Sequence, residues 1–165
     1  MKIIIHDLSE EQAITFIPQG KDILEIKQNG NIANCIGCFG CWVKTPGKCI
    51  IKDDYSNTGA CMGQIEEMII ISKCFYGGFS PFVKNVLDRA ISYVHPYFVI
   101  RNGEMHHRRR YQNHISLKTY FYGKDIYDRE KKTANNLVAA NALNFDCSCH
   151  QVEFLENIQE IEGRL

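Results

Sequence analysis

Two runs in this chain show no alternation of apolar and polar residues: Ile3-Ile4-Ile5 and Met68-Ile69-Ile70-Ile71. A strand with one wet face alternates, so such runs belong to strands covered on both faces, as in a parallel sheet between two layers of helix. The rest of the chain fits that plan. Ser9-Glu10-Glu11-Gln12 reads as a capping box that opens a short helix, which must end near Pro18-Gln19-Gly20. Asp22 to Lys27 reads as a second strand and Asn29-Gly30-Asn31 as a turn. Asp53-Asp54 is expected to cap a weak helix running to about Ile65. Ser80 caps and Pro81 occupies the first position of the strongest helix, with Val83, Val86, Leu87, Ala90, Ile91 and Val94 at helical spacing. Ile115 to Tyr122 is a further strand, Asp125 to about Asn144 a helix with Ala134, Leu137 and Val138 inward, and Cys149 to Leu155 the last strand. The expectation is one α/β domain over residues 1–165, a three-layer sandwich with a parallel five-stranded sheet and helices on both faces. Asn102-Gly103 between Phe98–Arg101 and Glu104–His107 adds an inserted hairpin near residues 98–107. Ligands of such sheets sit at the carboxyl ends of the strands, near a topological switch point.

Charge narrows the function. Lys plus Arg and Asp plus Glu number 19 each, so no net field draws nucleic acid or an anionic membrane. No apolar run is long enough to span a bilayer, and no signal peptide is read at the start. Eight cysteines in that context point to a reducing cytoplasm, with thiols or metal ligands rather than disulfides.

Four of those cysteines fall in one loop. Cys35, Cys38, Cys41 and Cys49 have the spacing C-x2-C-x2-C-x7-C, with Gly37 and Gly40 letting the backbone curl between them. Three close thiolates and a fourth further on are the arrangement that holds an iron–sulfur cubane, a 4Fe-4S cluster. A structural zinc site more often uses two distant C-x2-C pairs. The plain alternative is free thiols, inert under Trp42 or redox-active. Cys61, Cys74, Cys147 and Cys149 lack ligand spacing and read as core or strand residues, apart from the pair Cys147-x-Cys149. The run His106-His107-Arg108-Arg109-Arg110 reads as a solvated face or a dimer contact, with a nucleotide phosphate as the sharper alternative.

Two stretches carry a family resemblance. One is the cysteine motif continued by Cys49-Ile50-Ile51-Lys52-Asp53-Asp54. The other is the segment from Tyr76-Gly77-Gly78-Phe79-Ser80-Pro81 through Lys84 to Asp88-Arg89. Together, over roughly Cys35 to Tyr93, they resemble the NADPH-dependent FMN reductase and iron–sulfur flavoprotein families of the flavodoxin-like fold. The resemblance implies FMN with its ring against Phe75, Tyr76, Gly77, Gly78, Phe79 and Ser80. It also implies NAD(P)H or another electron carrier as partner, and a homodimer.

One departure stands out. Those families follow the first strand with a glycine- and serine-rich loop that cradles the FMN phosphate on free amides. Here His6-Asp7-Leu8-Ser9-Glu10-Glu11 follows, with no glycine, a capping box that uses the amides, and three carboxylates. Two unit charges about 4 Å apart repel by about 4 kcal/mol at an effective dielectric of about 20. The usual phosphate site is therefore expected to be lost. The sequence leaves two readings open. One is an NAD(P)H-dependent flavin oxidoreductase or electron-transfer flavoprotein with an iron–sulfur cluster. The other is a non-enzymatic flavodoxin-like protein that has lost FMN and serves as a binding or redox-sensing module. No side chain stands out as an acid or base, so no catalytic residue is assigned.

Overall fold

The computed structural model describes residues 1–30 and 32–165, so the turn expected at Asn29-Gly30-Asn31 lies partly outside the described residues. Five strands form the main sheet: β1 (Lys2–His6), β2 (Ile23–Ile26), β3 (Glu67–Lys73), β6 (Ser116–Tyr122) and β7 (Cys149–Leu155). They are all parallel, in the order β2-β1-β3-β6-β7. This is the flavodoxin-like order, whose switch point lies between β1 and β3.

The two unalternating runs bury both faces, as expected. Ile3, Ile5, Met68 and Ile70 point into a large core shared with α3 (Thr58–Met62), α4 (Pro81–Arg89) and α5 (Asp128–Phe145). Ile4, Ile69 and Ile71 point into a smaller one, closed by α1 (Glu10–Phe16) and a 3-10 turn at Ile158–Ile161. The capping box of α1 is present, with Ser9 and Gln12 bonding each other's backbone. Ser80 caps α4 from the position expected, with Pro81 following.

The inserted hairpin is longer than the sequence indicates. It comprises β4 (Val94–Arg101) and β5 (Glu104–Arg109), antiparallel and separate from the main sheet. Asn102 (φ 51°) and Gly103 (φ 82°) take the left-handed geometry that a tight hairpin turn requires.

Two expectations need correction. Asp53 does not cap a helix running to Ile65: its carboxylate binds Arg89 and accepts the Tyr55 amide at 3.1 Å, and only Thr58–Met62 of that stretch is helical. The basic run is not a free face either. Arg109 binds Asp146, Arg110 donates to the Ser92 carbonyl at 2.9 Å, and His106 is buried. Among the described residues, no helix is long and apolar enough to cross a membrane.

Candidate functional site

Two concave regions flank α4. The first is an open groove of about 480 Å3 above the β1/β3 switch point. Its lining includes Asp7 from the end of β1, Lys73 and Phe75 from the end of β3, Tyr122 from β6, Ser80 to Phe82 and Asn85 from α4, and Asn34. The second is a more enclosed cavity of about 550 Å3 under the cysteine loop.

At the groove, two donors that would meet an anion, the Lys73 amide and the Tyr122 hydroxyl, already have one, while the Lys73 ammonium lies 5.8 Å from the centre of the Phe75 ring. The Asp7 carboxylate accepts from the Lys73 amide at 3.0 and 3.2 Å and from the Tyr122 hydroxyl at 3.1 Å. Burial, and after it the Asp7 carboxylate, holds the Tyr122 phenol above its ordinary pKa, so it stays a donor. Four amides of the following segment are used as well. Asp7 donates to the Ile71 carbonyl, Leu8 to His6 Nδ1, Ser9 to Gln12 Oε1 and Gln12 to Ser9 Oγ. Behind this loop His6 is fully buried, its Nε2 2.9 Å from Glu25. Burial lowers the His6 pKa even though Glu25 opposes the shift, which fits a neutral ring that accepts at Nδ1 and donates at Nε2. These residues do not fit a phosphate at the position the fold family uses.

The aromatic loop beside the groove divides. Phe75 and Gly78 exchange backbone bonds at 3.0 and 2.7 Å, closing a tight turn with Tyr76 (φ 52°) and Gly77 (φ 80°) at its tip. Gly77 sits hard against α5: a Cβ there would lie 2.6 Å from the Glu130 carbonyl and 2.7 Å from Thr133 Cβ. Tyr76 is 90% exposed and Phe75 half exposed, so both rings are open to solvent. Phe79 is a core residue, stacked on Phe121 at 5.3 Å, and offers no face to a ligand. Ser80 is buried; its amide donates to Ser72 Oγ at 2.8 Å and its hydroxyl caps α4. Of the six residues expected at a flavin ring, Phe75 and Ser80 line the groove.

The cysteine loop brings all four expected ligands to one cavity. Cys35, Cys38, Cys41 and Cys49 line it together with Trp42, Arg89, His107 and the α5 residues Asn141, Asn144 and Phe145. Phe39 in the left-handed region (φ 56°) starts the one-turn helix α2 (Gly40–Val43), which turns Cys41 inward. Gly40 is required there, since a Cβ would come within 2.7 Å of the Ile50 side chain. Trp42 anchors the turn; its indole N–H donates to the Val94 carbonyl at 3.0 Å, and its ring lies 4.8 Å from that of His107. Cys35 and Cys38 are exposed, Cys41 and Cys49 half-buried. Burial raises the Cys41 thiol pKa, and the other three thiols raise it further.

The loop is closed at its neck by a residue the sequence gave no role. Arg89, at the end of α4 and 1% exposed, makes a fork onto Asp53 at 2.7 and 2.8 Å. It also donates to the carbonyls of Ala33 (2.7 Å) and Ile51 (3.4 Å). The Arg89 hydrogen bonds hold Asp53 well below the usual carboxylate range. Asp53 raises the Arg89 pKa, and Cys49 adds to the rise. Among the described residues, Arg89 Nε is buried without a hydrogen-bond partner.

Among the described residues, no three Cys, His, Asp or Glu groups are close enough to hold one metal ion. A lone zinc ion at about 2.3 Å from each sulfur needs all four within about 4 Å of one another. A cubane is ligated at its corners and tolerates wider spacing. Of the remaining cysteines, Cys147 is packed inward, where burial pushes its thiol up to about 12.

No family model matches this chain, and no curated protein matches it in sequence. Solved structures do match its architecture. The Trp repressor binding protein from Bacillus subtilis superposes with a TM-score of 0.53 at 13% identity, covering 98% of this chain and 90% of its own. The azoreductase AzrA gives 0.56 at 8% identity, over 97% and 92% of the two chains. An FMN-dependent NADH-azoreductase from Bacillus anthracis str. Ames Ancestor, solved in complex with FMN, gives 0.54 at 8% identity over 97% and 91%. The fold is flavodoxin-like. In a flavodoxin-like sheet the groove above β1 and β3 is the ligand-binding crevice, and here an internal carboxylate sits in it.

Proposed function

We propose that this chain is an electron-transfer protein or oxidoreductase component of flavodoxin-like fold, whose working centre is an iron–sulfur cluster on Cys35, Cys38, Cys41 and Cys49. One observation carries the reading: four thiols from a single loop line one cavity, with the Arg89 guanidinium in its wall. A cluster on four thiolates is an anion, and a guanidinium beside it favours negative charge. When bound, the cluster supplies one-electron redox chemistry. The chain supplies the rest. α2 and Trp42 orient Cys41, the Arg89–Asp53 pair holds the loop ends together, and α5 with Phe145 limits water.

The groove across α4 is the place for a flavin ring, between Phe75, Pro81, Phe82, Asn34 and Asn85. The likeness of the fold to an FMN-bound azoreductase supports that, with NAD(P)H or another carrier as electron donor. Asp7 opposes FMN phosphate at the usual position. A second reading rests on that observation: a protein without FMN, whose four thiols serve redox sensing or partner binding.

The test is a visible absorption spectrum of protein purified without oxygen, with iron and sulfide assayed on the same sample. A broad cluster shoulder with matching iron and sulfide is expected, and flavin bands beside it would add the oxidoreductase reading. A colourless protein that takes up neither cluster nor added FMN would overturn the proposal and leave the second reading.

A further inference from the structure

The cysteine loop departs from the sheet and returns to it, and its two ends must be held at a fixed separation if four thiols are to face one cavity. Helix α2 is a single turn, and much of the loop before it is exposed, so the loop's own packing is weak. The neck is different. Arg89 donates to the Ala33 carbonyl, two residues before Cys35, and to the Ile51 carbonyl and Asp53 carboxylate, just after Cys49. The Ala33 amide closes the ring by donating to Asp53 at 3.2 Å. One guanidinium thus reaches both strands of the neck, and it does so from a helix fixed in the main core. A planar fork with several donors suits this task; an ammonium does not.

The same side chain lines the cavity beside Cys49. Its Nε–H is buried and has no hydrogen-bond partner among the described residues. Asp53, on the neck side, takes the other two nitrogens.

We infer that Arg89 is a positioning residue of the cysteine centre: it clasps the neck of the loop through Asp53, Ala33 and Ile51, and it holds positive charge against the Cys49 side of whatever the thiols bind. This rests on the cluster reading for its second half only. A nearby positive charge favours the reduced, more negative form of a redox centre, so Arg89 raises its potential. Asp53, being negative, lowers it.

Three variants of the full chain test this. Arg89→Lys keeps the charge and loses the fork, Arg89→Gln loses both, and Asp53→Asn removes the negative partner. In the protein without metal, hydrogen exchange across residues 33–53, with the Cys49 amide that donates to the Ser56 carbonyl as reporter, reads the clasp. Arg89→Lys and Asp53→Asn should speed that exchange about ten-fold or more while β3 and β6 keep wild-type rates, as expected for local opening. Unchanged exchange in both overturns the clasp. In protein reconstituted with iron and sulfide, a redox titration followed by visible absorbance reads the charge. The potential should fall in Arg89→Gln, stay near wild type in Arg89→Lys and rise in Asp53→Asn. A merely structural role moves cluster content but not potential with opposite signs. Equal shifts, or none, overturn the charge half. A wild-type protein that takes up no iron and sulfide overturns that half together with the cluster reading, and the exchange rates still decide the clasp.

Discussion

The rim groove and the cysteine cavity share α4 and the Asn34–Cys35 segment, yet they treat negative charge in opposite ways. In the groove the Lys73 amide and the Tyr122 hydroxyl already hold a carboxylate, supplied by Asp7. In the cavity the Arg89 guanidinium lies in the wall beside the four thiols, which are acceptors once deprotonated. The first region holds an internal carboxylate on its donors, and the second sets a cation beside its thiols. An inherited fold therefore says where a ligand has room. Whether the seat still calls for one is decided by the hydrogen bonds already spent inside it.

The strongest way to break the contrast is at the thiols. Replacing Cys35, Cys38, Cys41 or Cys49 singly with Ser should abolish binding of iron and sulfide, measured after anaerobic reconstitution, while Cys61→Ser leaves it at wild-type content. Retention in all four would remove the cavity as the centre. Next in size is Arg89→Met, which leaves the partly buried Asp53 carboxylate without its partner. Its expected cost is about 3 kcal/mol in urea unfolding; a wild-type midpoint would mean the neck is not held there. At the groove, Asp7→Ser should cost about 1.5 kcal/mol through lost charged hydrogen bonds. It should also tighten FMN binding about ten-fold or more, read by flavin fluorescence quenching. Unchanged FMN affinity would show that Asp7 is not what keeps the phosphate out.

Acid separates the regions by pH. The pKa of His6 is lowered in the folded chain, so its contribution is complete above the unfolded value of 6.5 and is lost as pH falls through the folded value. The Asp53 pKa is lowered too, so its contribution is complete above 3.8 and is lost only in stronger acid. Urea midpoints should therefore decline first in a His6-dependent step below pH 6.5, absent in His6→Gln, and later in an Asp53-dependent step absent in Asp53→Asn. A single step would merge the two regions. The smallest effect is expected between them on the outer face of α4. Breaking the exposed Lys84–Asp88 pair with Asp88→Asn should move stability by less than about 0.5 kcal/mol.

What the sequence made legible was local. The apolar runs of β1 and β3, the Ser9 capping box, Ser80 with Pro81, the Asn102-Gly103 turn and the limits of β7 are all written within a few neighbouring residues. The cysteine spacing was legible too, and the four side chains do meet at one cavity. What stayed hidden depends on distant partners. Asp53 read as a helix cap because Arg89 lies 36 residues away. The charge of Asp7 was evident, but its partners Lys73 and Tyr122 are 66 and 115 residues off. Arg109 and Arg110 looked solvent-bound for the same reason, and Phe79 looked like a rim aromatic until Phe121 came beside it.

Trp42 gives the molecule a built-in optical probe. It is the only tryptophan in the chain, its ring lies on the wall of the cysteine cavity, and it does not line the groove. Emission excited selectively at the indole therefore comes from one address. A light-absorbing centre forming among the four sulfurs must quench it at short range, whereas a ligand that settles only above β1 and β3 must act from the far side of α4. Filling of the cavity can be followed without a label and without altering a residue.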